Sequence, residues 1–141
     1  MPYTVKMYAH APNKMATALF NFTGASNIKV ALVSTSTPSQ ANDILFSTIQ
    51  AANTETTGAG YAIGGKAITT PTAVTTALVT SLGADNTSWT SATFSAAVAV
   101  VYDVTTSALL GYVDFGGTQS VVAGTFTIAW SGGIIATITC S

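Results

Sequence analysis

At 141 residues and 14.3 kDa the chain fits one domain, long enough to bury roughly two thirds of its unfolded surface without staples. Charged residues are 6% of it, against about 25% in an ordinary soluble domain. Arginine is missing and the four lysines, Lys6, Lys14, Lys29 and Lys66, are scattered, which argues against a nucleic-acid partner because the sequence clusters no cations to displace counterions from phosphates.

The mean hydropathy of +0.49 raises the question of a membrane. The longest unbroken apolar run is Ala96 to Tyr102, far short of the ~20 residues a spanning helix needs, so no membrane is expected as a partner. The first residues show no basic-then-apolar leader, and no signal peptide is expected. Hydroxyl side chains, mostly threonine, stand in for charge as the wetting groups.

The chain opens with an arm carrying Tyr3, Val5 and Tyr8. From Pro12, the residues Met15, Ala18, Leu19 and Phe22 recur at i, i+3, i+4, i+7, the spacing of one helical face. Pro12 suits a first helical position and Gly24 a stop, so a short N-terminal helix is expected at about 12–22. The arm and helix together occupy about residues 1–27. "IKVALVS" at 28–34 alternates like a strand. The stretch 37–50 begins as a turn, holds Leu45 and Phe46, and has room for a helical turn around Asp43 to Ile49.

Beyond residue 60 the chain is rich in β-branched residues. Strands are expected at 61–69, 73–80, 87–90, 94–103, 109–115, 124–130 and 134–140, spaced by Gly, Asn and Ser. That rhythm reads as a single mainly β domain over 1–141, an antiparallel β-sandwich of immunoglobulin-like or jelly-roll-like type. "GTFTIAW-SGG-IIATITC" reads as a hairpin, with Phe126, Ile128 and Trp130 on one face. Alternation in 109–115 groups Leu109, Val113 and Phe115. "AAVAVVY" is apolar on both faces, so it belongs in the middle of a sheet with its second face covered by the helix, the N-terminal segment or a neighbouring subunit.

"GAGYAIGGKAIT" at 58–69 comes one residue short of a phosphate-binding loop. Ala67 stands where a magnesium-binding hydroxyl is needed, and Pro71 with its β-branched neighbours forbids the helix that follows such a loop. The dinucleotide fingerprint fails as well, because its third glycine falls at Ile63. The glycines are instead expected to bend the chain into and out of a strand carrying Tyr61 and Ile63.

Other catalytic constellations are equally thin. If 94–103 and 109–115 form a hairpin centred near Thr106, Asp103 faces Leu109 and Asp114 faces Val98. Those carboxylates then stand roughly 16 Å apart, wider than any glycosidase pair. Asp103 is expected to serve the turn and Asp114 a solvated face or interface. His10 is the sole histidine, too little for a multi-histidine zinc site or a convincing triad. Asp85-Asn86-Thr87 reads as a turn rather than a calcium loop. Cys140 cannot form a disulfide within the chain and reads as a small apolar residue. No catalytic residue, metal, cofactor or small-molecule substrate is expected. Trp89 and Trp130 are expected in the core. Tyr3 and Tyr8 are better suited to docking a partner.

Five stretches occur in order: "IKVALVSTSTP", "GAGYAIGGKAIT", "WTSATFSAAVAVVYD", "LLGYVDFGG-TQSVVAGTFTIAW" and "GGIIATIT". Together they resemble a family of small virion structural proteins of tailed bacteriophages. The resemblance runs from about residue 28 and is firmest over 89–138, where W-T-x-A-T-F, Y-V-D-F-G-G and G-T-F-T-I-x-W succeed one another. It implies a non-enzymatic β protein of the particle, with no catalytic residues to carry across. A capsid decoration or cement protein on the outer shell is the first expectation, made in host cytoplasm and oligomerising with itself and with the major capsid protein or other virion proteins. A tail or neck component, or a receptor- or glycan-binding module using exposed aromatics, is the alternative. Tyr3, Val5 and Tyr8 of the arm, with Leu45 and Phe46 of the 37–50 loop, are the expected contact residues, being large apolar side chains outside regular strands.

Overall fold

A computed structural model describes residues 2–3, 5–9, 22, 27–34, 45–52 and 54–139. Residues 12–21 of the helix expected at about 12–22, with His10, Asp43 and Cys140, lie outside them. Among the described residues the fold is mainly β, with two antiparallel sheets and one short helix in a sandwich-like arrangement that does not close into a barrel.

The larger sheet is built on a long hairpin of β7 (Thr87–Asp103) and β8 (Leu109–Trp130). β3 (Ile28–Val33) pairs with the other side of β7, and β4 (Lys66–Ala67) pairs with β3. β1 (Pro2–Tyr3) and β2 (Lys6–Met7) line two parts of the outer edge of β8, β1 in parallel and β2 antiparallel. "AAVAVVY" thus lies on the central strand, as its two apolar faces require. The smaller sheet has the order β5–β6–β9, from β5 (Thr72–Thr76), β6 (Val79–Gly83) and β9 (Ile134–Thr139).

Two clusters of buried side chains sit on opposite faces of the larger sheet. One joins Val30 and Leu32, Trp89, Phe94 and Val101, and Val113, Ile128 and Trp130 to Leu82 and Ile135 of the smaller sheet. The other joins Val33, Val98, Val100, Tyr102 and Leu109 to Tyr8 and to Phe46 and Ile49 of the helix Phe46–Ala51. The layers therefore run helix, large sheet, small sheet, and the second face of "AAVAVVY" is covered from within the chain.

Bulges keep the long hairpin in phase. A strict period of two over the 17 residues of β7 would turn part of its apolar set to the wrong face. Register shifts between Trp89 and Ala92 and between Ala96 and Val98 reverse the alternation, so Trp89, Phe94 and Val101 reach the same core. Ser91 takes the left-handed backbone (φ 50°) at the first of these, and Ala123 (φ 46°) at a further shift between Ala92 and Phe94. Each holds one extra residue out of the ladder, which is what a bulge does. The expected pairs 87–90 with 94–103 and 109–115 with 124–130 are accordingly single strands.

Four further expectations are corrected. The segment 73–80 is a hairpin, turning at Ala77 (φ 53°) and Leu78. The segment 61–69 is strand only at Lys66–Ala67. Most consequentially, β9 does not fold back on β8. Gly132 and Gly133 (φ 62° and 72°) carry the chain out of the larger sheet, and β9 pairs with β6. Phe126, Ile128 and Trp130 do share an inward face, but a shift at Tyr102 makes Leu110, not Leu109, the companion of Val113 and Phe115.

Candidate functional site

The expected contact residues divide. The arm is an edge strand in its own right. Lys6 and Met7 pair with Tyr112 and Gly111, and the Tyr8 amide donates to the Leu110 carbonyl at 3.0 Å. Val5 lies over Gly111 so closely that a β-carbon there would collide with it, and Val5 is half-buried. Tyr8 is 1% exposed and packs 5.5 Å from Tyr112. Phe46 is likewise 1% exposed and stacks on Tyr102 at 4.1 Å. Tyr8 and Phe46 are therefore core residues, not surface anchors: the helix and the arm each need one large ring to seal the large sheet. Leu45 remains on the surface at 37% exposure. Tyr3 is placed by its backbone beside Trp130.

The glycine-rich stretch does hold an anion, though an internal one. Glu55, at 9% exposure, accepts hydrogen bonds from the Tyr61 hydroxyl at 2.7 Å, the Gly64 amide at 2.6 Å and Gln50 Nε2 at 3.1 Å. The Tyr61 oxygen in turn accepts the Leu32 amide at 3.0 Å, and the Tyr102 hydroxyl donates to the Gly64 carbonyl at 2.7 Å. A side chain at Gly65 would run into the Val30 carbonyl, and one at Gly58 into the Thr93 carbonyl. The glycines let the loop lie flat on β3 and β7 and close around the carboxylate. Burial drives the Tyr61 phenol well above its usual range; the Leu32 amide opposes this and Glu55 adds to it. Burial first, then the Glu55 charge, pushes Tyr102 up to about 12.

This network is structural chemistry. Lys66, which would have met a phosphate, donates to the Ser88 carbonyl at 2.6 Å. Beside it lies an open cleft of about 210 Å³ bounded by Gly60, Ala62, Gly65, Lys66, Trp89 and Thr90. A second, of about 220 Å³, is bounded by Val5, Ser131 and residues 134–137. Both fall below the ~300 Å³ at which small-molecule sites begin. Among the described residues no group of three or more His, Cys, Asp or Glu is placed to hold a metal ion.

Of the two expected pairings of the acids one holds: a register shift sets Leu109 opposite Tyr102 rather than Asp103, whose amide donates to the Ala108 carbonyl. Asp114 pairs opposite Val98, five positions from Asp103 along β7, on the order of 16 Å. Asp103 accepts the amides of Thr105 at 2.9 Å and Thr106 at 3.1 Å, fastening the β7–β8 turn. Asp114 is exposed and accepts the Gly116 amide at 2.8 Å. Asp85 and Asn86 form the entry to β7, where the Trp130 indole donates to the Asp85 carbonyl at 3.0 Å and its amide to Asn86 Oδ1 at 3.2 Å. Trp89 and Trp130 are 4% and 3% exposed, core as expected.

What the surface does offer is the smaller sheet. Residues 72–83 and 134–139 contain no charged side chain. All five residues of β5 are exposed, Val74 at 57% and Leu78 in the adjoining turn at 64%. Among the described residues β5 pairs on one side only, with β6. Sequence reasoning missed this site because it read 73–80 as one strand; the alternation and threonine content gave strand, but Ala77 carries no turn signal. No family model, curated protein or solved structure matches the chain.

Proposed function

We propose that this chain is a non-enzymatic structural protein of a tailed-bacteriophage particle, a decoration or cement protein that braces the capsid shell. The observation that carries the proposal is the uncharged small sheet with an exposed, one-sided β5. Natural edge strands are guarded by lysine, inward charge or a covering element, and β5 has none of these among the described residues. A protein that leaves such an edge open is suited to having it covered by a neighbour, as in permanent assemblies whose contacts are more apolar than ordinary surface. Main-chain pairing at the edge and apolar area at junctions would then resist shell expansion, and particle symmetry would multiply each weak contact.

The test is addition of the purified protein to preformed shells lacking it, followed by sedimentation. Co-sedimentation, with on the order of hundreds of copies per native particle, is the expected result for a protein repeated over a symmetric shell. A few copies confined to one end of the particle would move the assignment to tail or neck. A chain that ignores the particle altogether would overturn the proposal. The glycan-binding reading has lost the two tryptophans and Tyr8, all buried within the fold.

A further inference from the structure

We propose that β5 is a homodimerisation edge: two copies of the chain pair β5 to β5, antiparallel, about a two-fold axis at Val74, joining their small sheets into one continuous sheet. The inference deepens the assembly reading above and rests on it, naming the first contact and the partner.

The hydrogen-bonding parity supplies the register. β5 and β6 are joined by a two-residue turn, Ala77-Leu78, with Thr76 opposite Val79, Val74 opposite Ser81 and Thr72 opposite Gly83. A two-residue turn closes on a hydrogen-bonded pair, and such pairs alternate along the ladder. Thr76, Val74 and Thr72 therefore spend their amides on β6, and Ala73 and Thr75 point theirs outward. Pro71, which has no amide proton, and the left-handed Ala77 (φ 53°) bound this free edge on either side. Val74 lies midway between them. A two-fold there sets Ala73 against Thr75 of the second copy twice over, giving four main-chain hydrogen bonds. Val74 meets its own mate in the close, non-hydrogen-bonded position, where cross-strand side chains touch.

Charge selects the same edge. An isologous contact opposes the residue on the axis to itself and keeps its neighbours close to their own copies, so a charge there would meet its like. β5 carries none. The open part of the β8 edge carries Asp114 and is kinked at Gly116, Gly117 and Ala123 (φ 74°, 149° and 46°), the devices that blunt an edge. The outer strand on the far side, β9, has buried Ile135 and Ala136 and shares a cleft with Val5 and Ser131. β5 pairs with β6 without a register shift and is neutral and exposed along its whole length. Val74 also lies on the face away from Leu82 and Ala136, so substituting it leaves the core untouched.

The experiment uses the isolated full chain and sedimentation velocity. Wild type is expected to dimerise. Val74→Lys and Val74→Glu, each alone, are expected to raise the dimer dissociation constant at least about tenfold, through like charges directly opposed. Their circular dichroism should match wild type, and their urea midpoints should match it at protein concentrations low enough to leave all three monomeric. An equimolar mixture of the two is expected to recover association to within about threefold of wild type, since only a two-fold at this residue turns the repulsions into an attraction. A monomeric wild type, an oligomer indifferent to either substitution, or a mixture no tighter than its components would each overturn the inference. Failed loading onto shells with this dimer intact would sink the particle reading alone. A monomer that still loads would sink this contact alone.

Discussion

Glu55 shows how much one side chain organises in a chain so poor in ions. Its carboxylate gathers the 50–64 loop by three hydrogen bonds, and its charge reaches two phenols, Tyr102 buried and Tyr61 half-buried. Tyr102 holds its proton up to about pH 12 in the fold, whereas an unfolded tyrosine releases it near 10. A group whose folded pKa is raised contributes stability that is complete below the unfolded value and disappears as pH climbs to the folded one. Stability should therefore be level up to about pH 10 and fall from there to 12, with Tyr61 extending the decline. Tyr102→Phe should cost about 1 kcal/mol at neutral pH for the lost bond to Gly64. It should also lower the alkaline slope by up to about 1.4 kcal/mol per pH unit. Urea unfolding at mild and strongly alkaline pH compares the two; equal alkaline losses in both proteins would remove Tyr102 from this account. None of the network was legible beforehand, since "AANTETT" reads as polar loop and gives no sign that its one acid is enclosed.

Among the elements, the helix Phe46–Ala51 has six residues, too few to stand alone in water. It exists because Phe46 and Ile49, three apart, both drop onto the large sheet. Phe46→Ala should cost about 3–5 kcal/mol, the range for emptying a buried aromatic site, while neighbouring Leu45→Ala should stay within about 1 kcal/mol. Similar denaturation midpoints for the two variants would contradict this division of labour. The sequence itself could not separate them, because both are large apolar residues in a polar stretch and burial depends on Tyr102, more than fifty residues away. Strand content was legible from alternation and β-branching, and the Asp114–Val98 pairing from the hairpin alone. The joins and breaks were not. Ala77, Ser91 and Ala123 adopt positive φ without the glycine or asparagine that would announce it, so a turn passed for a strand and two bulges for gaps. Ser-Gly-Gly at 131–133 announced a turn correctly but said nothing of which sheet would receive the chain.

At the scale of the whole molecule, low charge and heavy threonine content were plain from composition, and the rhythm of β-branched segments led correctly to a mainly β fold. Which surface stays bare required the topology. That topology also fixes a sequence of events in time. β5 and β6 lie side by side in the chain and can meet within microseconds. Their third strand is separated from β6 by the whole β7–β8 hairpin, so it arrives only after a long-range search. Until then the young hairpin offers bare backbone along both flanks, and crowding at that stage favours wrong unions between molecules. Recovery on dilution from urea should accordingly worsen as protein concentration rises. Val74→Lys, with a gatekeeping cation on one flank, should lose less to turbidity than wild type. Matched turbidity would mean that the delay exposes nothing of consequence.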